Sequence, residues 1–333
     1  MTLAETVARI EPLDAAAEAR TREELDRKTK PRRSLGRLED LAARIAAVTG
    51  QRSVAAAVVV AAGDHGVAAE SVSAYPQEVT RQMLVNFDGG GAAVCVLARE
   101  AGATLRVVDV GVGRPTGNIA VGPALGRDEA ESLVEQGILE AETLVADGSR
   151  VLVPGEMGIG NTTVASALAA VLLPAEPEAV CGRGTGLDDA GLAHKIEVVR
   201  RALAANLVDA ADPLGVLAAL GGRELAYLTG LVLGAAATRS VALLDGFISS
   251  TAALVAARIA PNAVDSMVAA HRSPEPGHAL VLEALGLTPL LELDLRLGEG
   301  SGAALALPLL RSALAILTDM ATFESAGVTD AGR

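Results

Sequence analysis

A chain of 333 residues with 50% hydrophobic and 21% charged content has apolar material for a full core and length for one large domain or two. Its formal net charge of −13 argues against nucleic acid or an anionic membrane as the main partner, so an anionic ligand must be held by local dipoles and a few placed cations. Two cysteines, Cys95 and Cys181, lie far apart in apolar segments and fit reduced core thiols better than a disulfide or a metal site.

The first residues carry Glu5, Arg9 and Glu11 and lack the basic-then-apolar layout of a secretion signal, which points to the cytoplasm. Residues 14 to 30 form a charged helix stopped by Pro31, and Ser34 can cap a second helix that runs through about Val48. Residues 55 to 62 are a continuous valine-rich run, the pattern of a strand buried on both faces, and it ends in Gly63-Asp64-His65-Gly66. Next comes Ser73-Ala-Tyr-Pro-Gln-Glu-Val-Thr-Arg-Gln-Met83. A proline-started helix whose aromatic merely packs is the plain reading, yet Tyr75, Gln82 and Met83 are the mix of aromatic, amide and thioether that a flat apolar ligand wants. With three Phe, two Tyr and no Trp in the chain, each aromatic is suspect as a ligand contact.

The layout of strand, polar or glycine-rich turn and helix then repeats. Strands are expected at 105–110, 150–153, 179–181 and 241–244, and helix-period segments at about 78–100, 128–146, 161–172, 187–207, 222–238 and 247–258. This is the grammar of a doubly wound sheet with ligands at the carboxyl ends of the strands. The uncharged run 157–175 approaches the length of a membrane span, but Gly158, Gly160, Asn161, two threonines and Pro174 interrupt it.

The turn Val153-Pro-Gly-Glu-Met-Gly-Ile-Gly-Asn-Thr-Thr163 comes close to the phosphate loop G-x-x-x-x-G-K-[ST], with Asn161 in place of the lysine that reaches the β and γ phosphates. That replacement argues against a triphosphate. It leaves backbone amides and threonine hydroxyls facing one phosphate without magnesium, the alternative being an ordinary strand-to-helix turn. Gly182-Arg-Gly-Thr-Gly-Leu-Asp188 precedes a helix carrying Lys195 and offers amides and a cation; the plainer reading is a sharp turn with Lys195 on a solvated face. Gly221-Gly222-Arg223-Glu224 opens a helix in the same manner, where a packing turn is at least as good a reading. Asp245 follows a buried strand, where a carboxylate caps the next helix or binds a sugar hydroxyl.

His271-Arg-Ser-Pro-Glu-Pro-Gly-His278 holds two histidines with no third ligand at a recognised spacing, so structural or substrate hydrogen bonds are favoured over a metal, and His65 and Asp64 read alike. Glu299 lies between glycines ahead of the apolar residues 303–317, at an expected helix start beside a hydrophobic wall. Desolvation there raises its pKa and suits it to act as a general base, while the plain reading is a carboxylate favouring a helix N-terminus. Glu156, in the glycine-rich turn, has the same glycine-flanked setting.

In order along the chain, Gly155-Glu-Met-Gly-Ile-Gly-Asn-Thr-Thr163, Gly182-Arg-Gly-Thr-Gly186, His271-Arg-Ser-Pro-Glu-Pro-Gly-His278 and Leu297-Gly-Glu-Gly-Ser-Gly302 resemble the nicotinate-nucleotide:5,6-dimethylbenzimidazole phosphoribosyltransferases of cobalamin lower-ligand synthesis. Gly63-Asp-His-Gly66 and residues 73–83 are also in place, so the resemblance covers nearly the whole chain. It implies an α/β fold with a Rossmann-like parallel sheet flanked by helices, a large catalytic domain over 32–303, a small helical domain from 1–31 plus 304–333, a homodimer, and no cofactor or metal. It implies transfer of the ribose 5-phosphate of nicotinate mononucleotide to dimethylbenzimidazole with inversion, giving α-ribazole 5′-phosphate and nicotinate. The pyridinium departs as a neutral ring and needs no acid, whereas the attacking benzimidazole must shed a proton, which asks for one base. By the resemblance Glu299 is that base, with Ser73, Tyr75, Gln82 and Met83 lining its pocket. Gly158, Gly160, Asn161, Thr162, Gly182, Gly184, Thr185 and Lys195 hold the nucleotide, with Asp245 and Ser273 as further contacts, and Glu156 orients the ribose or assists Glu299. The same scaffold using adenine, a purine analogue or a phenol, or a non-catalytic nucleotide-binding relative, are the alternatives.

Overall fold

The computed structural model describes residues 1–330, so residues 331–333 of the expected small domain lie outside the described residues. Strands β1 (Ala55–Gly63), β2 (Thr104–Gly111), β3 (Ser149–Met157), β4 (Val241–Leu244) and β5 (Met267–Ala269) form a parallel sheet in the order β2-β1-β3-β4-β5. A second small pair joins β6 (His271–Arg272) to β7 (Leu291–Glu292).

The unbroken apolar runs have a direct cause. Successive side chains of a strand point to opposite faces, and both faces are covered. Ala57, Val59 and Ala61 of β1 enter the core built with helices Arg127–Ala146, Asn161–Leu172, Arg223–Ala237 and Phe247–Ile259. Val58 and Val60 enter the other core, with helices Arg37–Thr49, Ala93–Glu100 and Ser301–Asp319. Small residues let the layers close up: Gly137 lies against the Tyr227 carbonyl and Gly230 against the Val134 carbonyl, and a methyl at either would collide.

Three local expectations need correction. The run 179–181 is no strand; Pro177 starts a short helix, Pro177–Val180, because its fixed φ and missing N–H suit a first helical turn. The place in the sheet belongs to β5, which is only three residues long. The segment 78–100 is two helices, Glu78–Asp88 and Ala93–Glu100, because Gly90 between them takes φ +70°. Ser34 is not a cap: the helix starts after Gly36 without a side-chain cap bond, while Leu35 N donates to Glu39 Oε1 at 3.0 Å.

From β1 the chain passes to β2 on one side and then to β3 on the other. The carboxyl ends of β1 and β3 therefore open a crevice at the point where strand order reverses. Near the chain ends, Thr29 N donates to Ala321 O at 3.0 Å and Lys28 Nζ to Met320 O at 2.9 Å. Helix Leu3–Arg9 packs elsewhere, with Leu3 N donating to Glu135 Oε1 at 3.0 Å. Helix Ser301–Asp319 is long and apolar enough to cross a membrane by length and composition alone, yet over half of it is buried beside the sheet.

Candidate active site

A cavity of about 340 Å³ opens at the carboxyl edge of the sheet, walled by Tyr75, Val79 and Met83 on one side and by Glu156, Asn161, Thr162, Ser273 and Glu299 on others. Glu156 lies within the end of β3 rather than in the turn after it, which is why it is only 6% exposed. Asn161 Nδ2 donates to its Oε2, and its Oε1 rests against Gly298 so closely that a β-carbon there would collide. Burial first, then the charges of Asp245, Glu224 and Glu299, push its carboxyl well above the ordinary range, against the pull of the Asn161 bond.

Glu299 is the middle of three residues with left-handed backbone, Gly298 at φ +85°, Glu299 at +65° and Gly300 at +84°. For a side-chain-bearing residue that geometry costs about 1–2 kcal/mol. Packing holds it: the Glu299 carbonyl sits on the Cα of Gly155, where any β-carbon would collide, and Val94 N donates to Glu299 Oε2 at 3.4 Å. The side chain is 4% exposed. Burial raises its pKa, the Val94 amide pulls the other way, and the Asp245 charge adds to the rise. Of the two readings of Asp245, capping is seen, but on a distant helix: Oδ1 accepts from Ala303 N at 2.9 Å, in the first turn of Ser301–Asp319, and lies 3.3 Å from His271 Nε2.

The two glycine loops meet through Lys195. It is fully buried, contrary to the solvated-face reading, and Nζ donates to Thr162 Oγ1 at 2.9 Å and to Gly182 O at 3.1 Å. Burial lowers its pKa while Glu275 and Cys181 oppose the drop. Glu275 Oε1 accepts from Gly184 N at 2.9 Å, so that loop amide already faces a carboxylate of the protein. The Ile159 amide of the first loop is likewise engaged, donating to Thr80 Oγ1 at 3.1 Å.

A family model described as phosphoribosyltransferase matches residues 10–328. The chain belongs to the phosphoribosyltransferase family. This phosphoribosyltransferase is 51% identical to the nicotinate-nucleotide–dimethylbenzimidazole phosphoribosyltransferase of Desulforudis audaxviator, over 99% of this chain and 98% of the relative. It is 50% identical to the protein of the same name from Salinispora tropica, over 98% of this chain and 99% of the relative. Its fold matches the crystal structure of CobT from Thermus thermophilus with a TM-score of 0.91 at 48% identity, covering 94% of this chain and 99% of that one.

Within the phosphoribosyltransferase cavity, ten of the residues singled out in the sequence form the wall: Tyr75, Met83, Glu156, Gly158, Asn161, Thr162, Gly184, Thr185, Ser273 and Glu299. Five stand behind it. Lys195 and Gly182 back Thr162, and Gly160 is the N-cap of helix Asn161–Leu172. Asp245 holds Ala303, and Ser73 Oγ lies 3.2 Å from Thr185 Oγ1. Gln82 is exposed on helix Glu78–Asp88 and outside the cavity wall. The plain reading of His278 holds: its Nδ1 accepts from Ser273 N at 3.0 Å, and burial pulls its pKa down to about 3, so it is a neutral acceptor shaping the loop. His271 does reach the cavity. Phe247, Ile248 and Glu275 also wall it and were not singled out. Phe247 was within reach of inference, as one of three phenylalanines placed directly after Asp245-Gly246.

Proposed function

We propose that this phosphoribosyltransferase moves the ribose 5-phosphate of nicotinate mononucleotide to 5,6-dimethylbenzimidazole, giving α-ribazole 5′-phosphate and nicotinate with inversion at the anomeric carbon. The observation that carries this reading is Glu299, a desolvated carboxylate on a strained turn against an apolar wall. Relatives that carry the name of this reaction over the full length support it.

In this reading the benzimidazole lies against Tyr75, Val79 and Met83, with Ser73 and Gln82 farther out. One ring nitrogen attacks the anomeric carbon while the other gives its proton to the Glu299 carboxylate. The bond to the pyridinium breaks, and its electron pair stays on the pyridine nitrogen, so nicotinate leaves without an acid. The nucleotide is held by the loops of Gly158, Gly160, Asn161 and Thr162 and of Gly182, Gly184 and Thr185, with Ser273 as a further contact and Asp245 acting from behind the wall through Ala303 and His271. Lys195 acts as a fixed cation beneath Thr162. Glu156, whose carboxyl burial pushes well above the ordinary range, orients the ribose or assists Glu299.

The wall near Tyr75 is apolar, and apolar walls discriminate weakly between ring systems, which favours a second reading in which adenine, a purine analogue or a phenol is also accepted. Incubation with nicotinate mononucleotide and a panel of bases, followed by mass spectrometry, tests both readings. Dimethylbenzimidazole is expected to rank first, and no product from any base would reject transfer chemistry in favour of nucleotide binding alone.

Three coarser proposals accompany this one. The chain works as a homodimer, which light scattering on a sizing column tests. Its compartment is the cytoplasm, in keeping with the free, buried Cys95 and Cys181. Of the small helical domain expected from 1–31 plus 304–333, the described part, 1–31 with 304–330, stands beside 32–303, in keeping with the bridge between Lys28 and Thr322.

A further inference from the structure

One buried pair has no direct part in the site above, although the Glu224 charge acts on Glu156. His65 follows β1, and Glu224 lies in the first turn of helix Arg223–Ala237. Both side chains are 0% exposed, and His65 Nε2 lies 2.7 Å from Glu224 Oε1. The contact is close but not an aligned hydrogen bond, and among the described residues neither ring nitrogen nor either carboxylate oxygen has another partner. Polar groups this deep persist only when a partner compensates them, so each member of the pair depends on the other.

The neighbours show where the pair presses. A β-carbon on Gly158 would lie 3.0 Å from His65 Nε2 and 3.1 Å from Cδ2, and one on Gly160 would lie 3.6 Å from His65 Cβ. At the other edge of the ring, a β-carbon on Gly222 would lie 3.0 Å from Nδ1 and 2.9 Å from Glu224 Oε2. The imidazole thus stands between Gly222 at the start of a core helix and Gly158 of the glycine loop, which also rests on the Gly63 carbonyl, 2.6 Å from where a Gly158 β-carbon would lie. Glu224 in turn packs against Gly63 at the end of β1, where a β-carbon would lie 3.2 Å from Oε2.

We infer that His65 and Glu224 are positioning residues: the pair sets the height of the Gly158–Gly160 loop and so aims that loop at the phosphate of the mononucleotide. Neither residue lines the cavity, so the pair acts through Gly158 and Gly160. Helix Arg223–Ala237 packs in one core with Asn161–Leu172, so the wedge ties the loop to the rigid part of the molecule. The inference rests on the proposed nucleotide role of this loop.

The test titrates nicotinate mononucleotide into the wild type, Glu224→Gln and Gly222→Ala by calorimetry, and measures both KM values, kcat and Tm. Glu224→Gln removes the charge at nearly constant shape, while Gly222→Ala keeps both polar partners and presses the ring toward the loop. Each is expected to weaken mononucleotide binding about tenfold to a hundredfold, as a small misplacement of a binding group does. For Gly222→Ala, which keeps the Glu224 charge that acts on Glu156, the KM for the base and kcat should stay within about twofold, the signature of a lost binding contact rather than a lost catalytic one. A folded variant with wild-type affinity for the mononucleotide would overturn the inference, and so would an equal rise in both KM values, which marks general loosening. If Glu224→Gln does not fold, Gly222→Ala decides alone. A wild type that binds no mononucleotide would sink the nucleotide reading itself, a separate outcome.

Discussion

Glu299 bears two costs together, a buried carboxylate and a left-handed backbone, and its neighbours Gly298, Gly300 and Gly155 make both tolerable. Because burial raises its pKa above the ordinary 4.5, the acid limb of kcat/KM should lie above that value, activity falling as protonation removes the base. Glu299→Gln should lower turnover by about 10²- to 10⁴-fold and abolish that limb, with mononucleotide affinity retained. Near-normal turnover in steady-state assays would remove Glu299 from its role. Lys195→Ala should weaken mononucleotide binding in calorimetry, since it removes the cation under Thr162.

Glu156 gives a stability prediction with a definite sign. Its folded pKa is raised, so its favourable contribution is complete below the unfolded value near 4.5 and is lost as pH climbs toward the folded value. Glu156→Gln keeps an acceptor for Asn161 but has no charge to bury. Denaturant unfolding should find the variant more stable than wild type at neutral pH. The gap should widen by about 1.4 kcal/mol per pH unit through that window and close in acid. A gap that grows toward low pH would contradict the assignment.

At the scale of elements, the site is a clasp between the end of β3 and the turn before helix Ser301–Asp319. Gly155→Ala would drive a methyl into the Glu299 carbonyl and come within 3.0 Å of Gly300 N. Such overpacking costs about 1–3 kcal/mol, and kcat should fall more than mononucleotide affinity, because the base is displaced while the phosphate loop is not. Unfolding curves and steady-state kinetics together check this.

The same scale explains what the chain disclosed before folding. β1 and β4 were readable because burial on both faces needs unbroken apolar runs, and the glycine loops because backbone crowding demands glycine. The solvated-face reading of Lys195 failed because nothing local on its helix signals that loops distant in sequence will close over it. Glu275 was missed for a similar reason, since its partner Gly184 lies in another loop. The run 179–181 failed because three apolar residues suit a buried helical turn as well as a strand.

For the whole molecule, the cavity draws walls from elements of both cores, so a ligand there braces the two against each other. Nicotinate mononucleotide at about a hundred times its Kd should stabilise the fold by about 2.7 kcal/mol, visible as a rise in Tm, and an unshifted Tm would argue that it does not bind. The sheet order has a further effect on biosynthesis. Glu299 comes late in the chain, whereas Gly155, Val94 and the glycine loops that surround it precede it by about a hundred residues or more. On the proposed roles, a ribosome emits the nucleotide cradle long before the base, and a copy clipped ahead of residue 297 would carry every strand of both sheets yet lack Glu299.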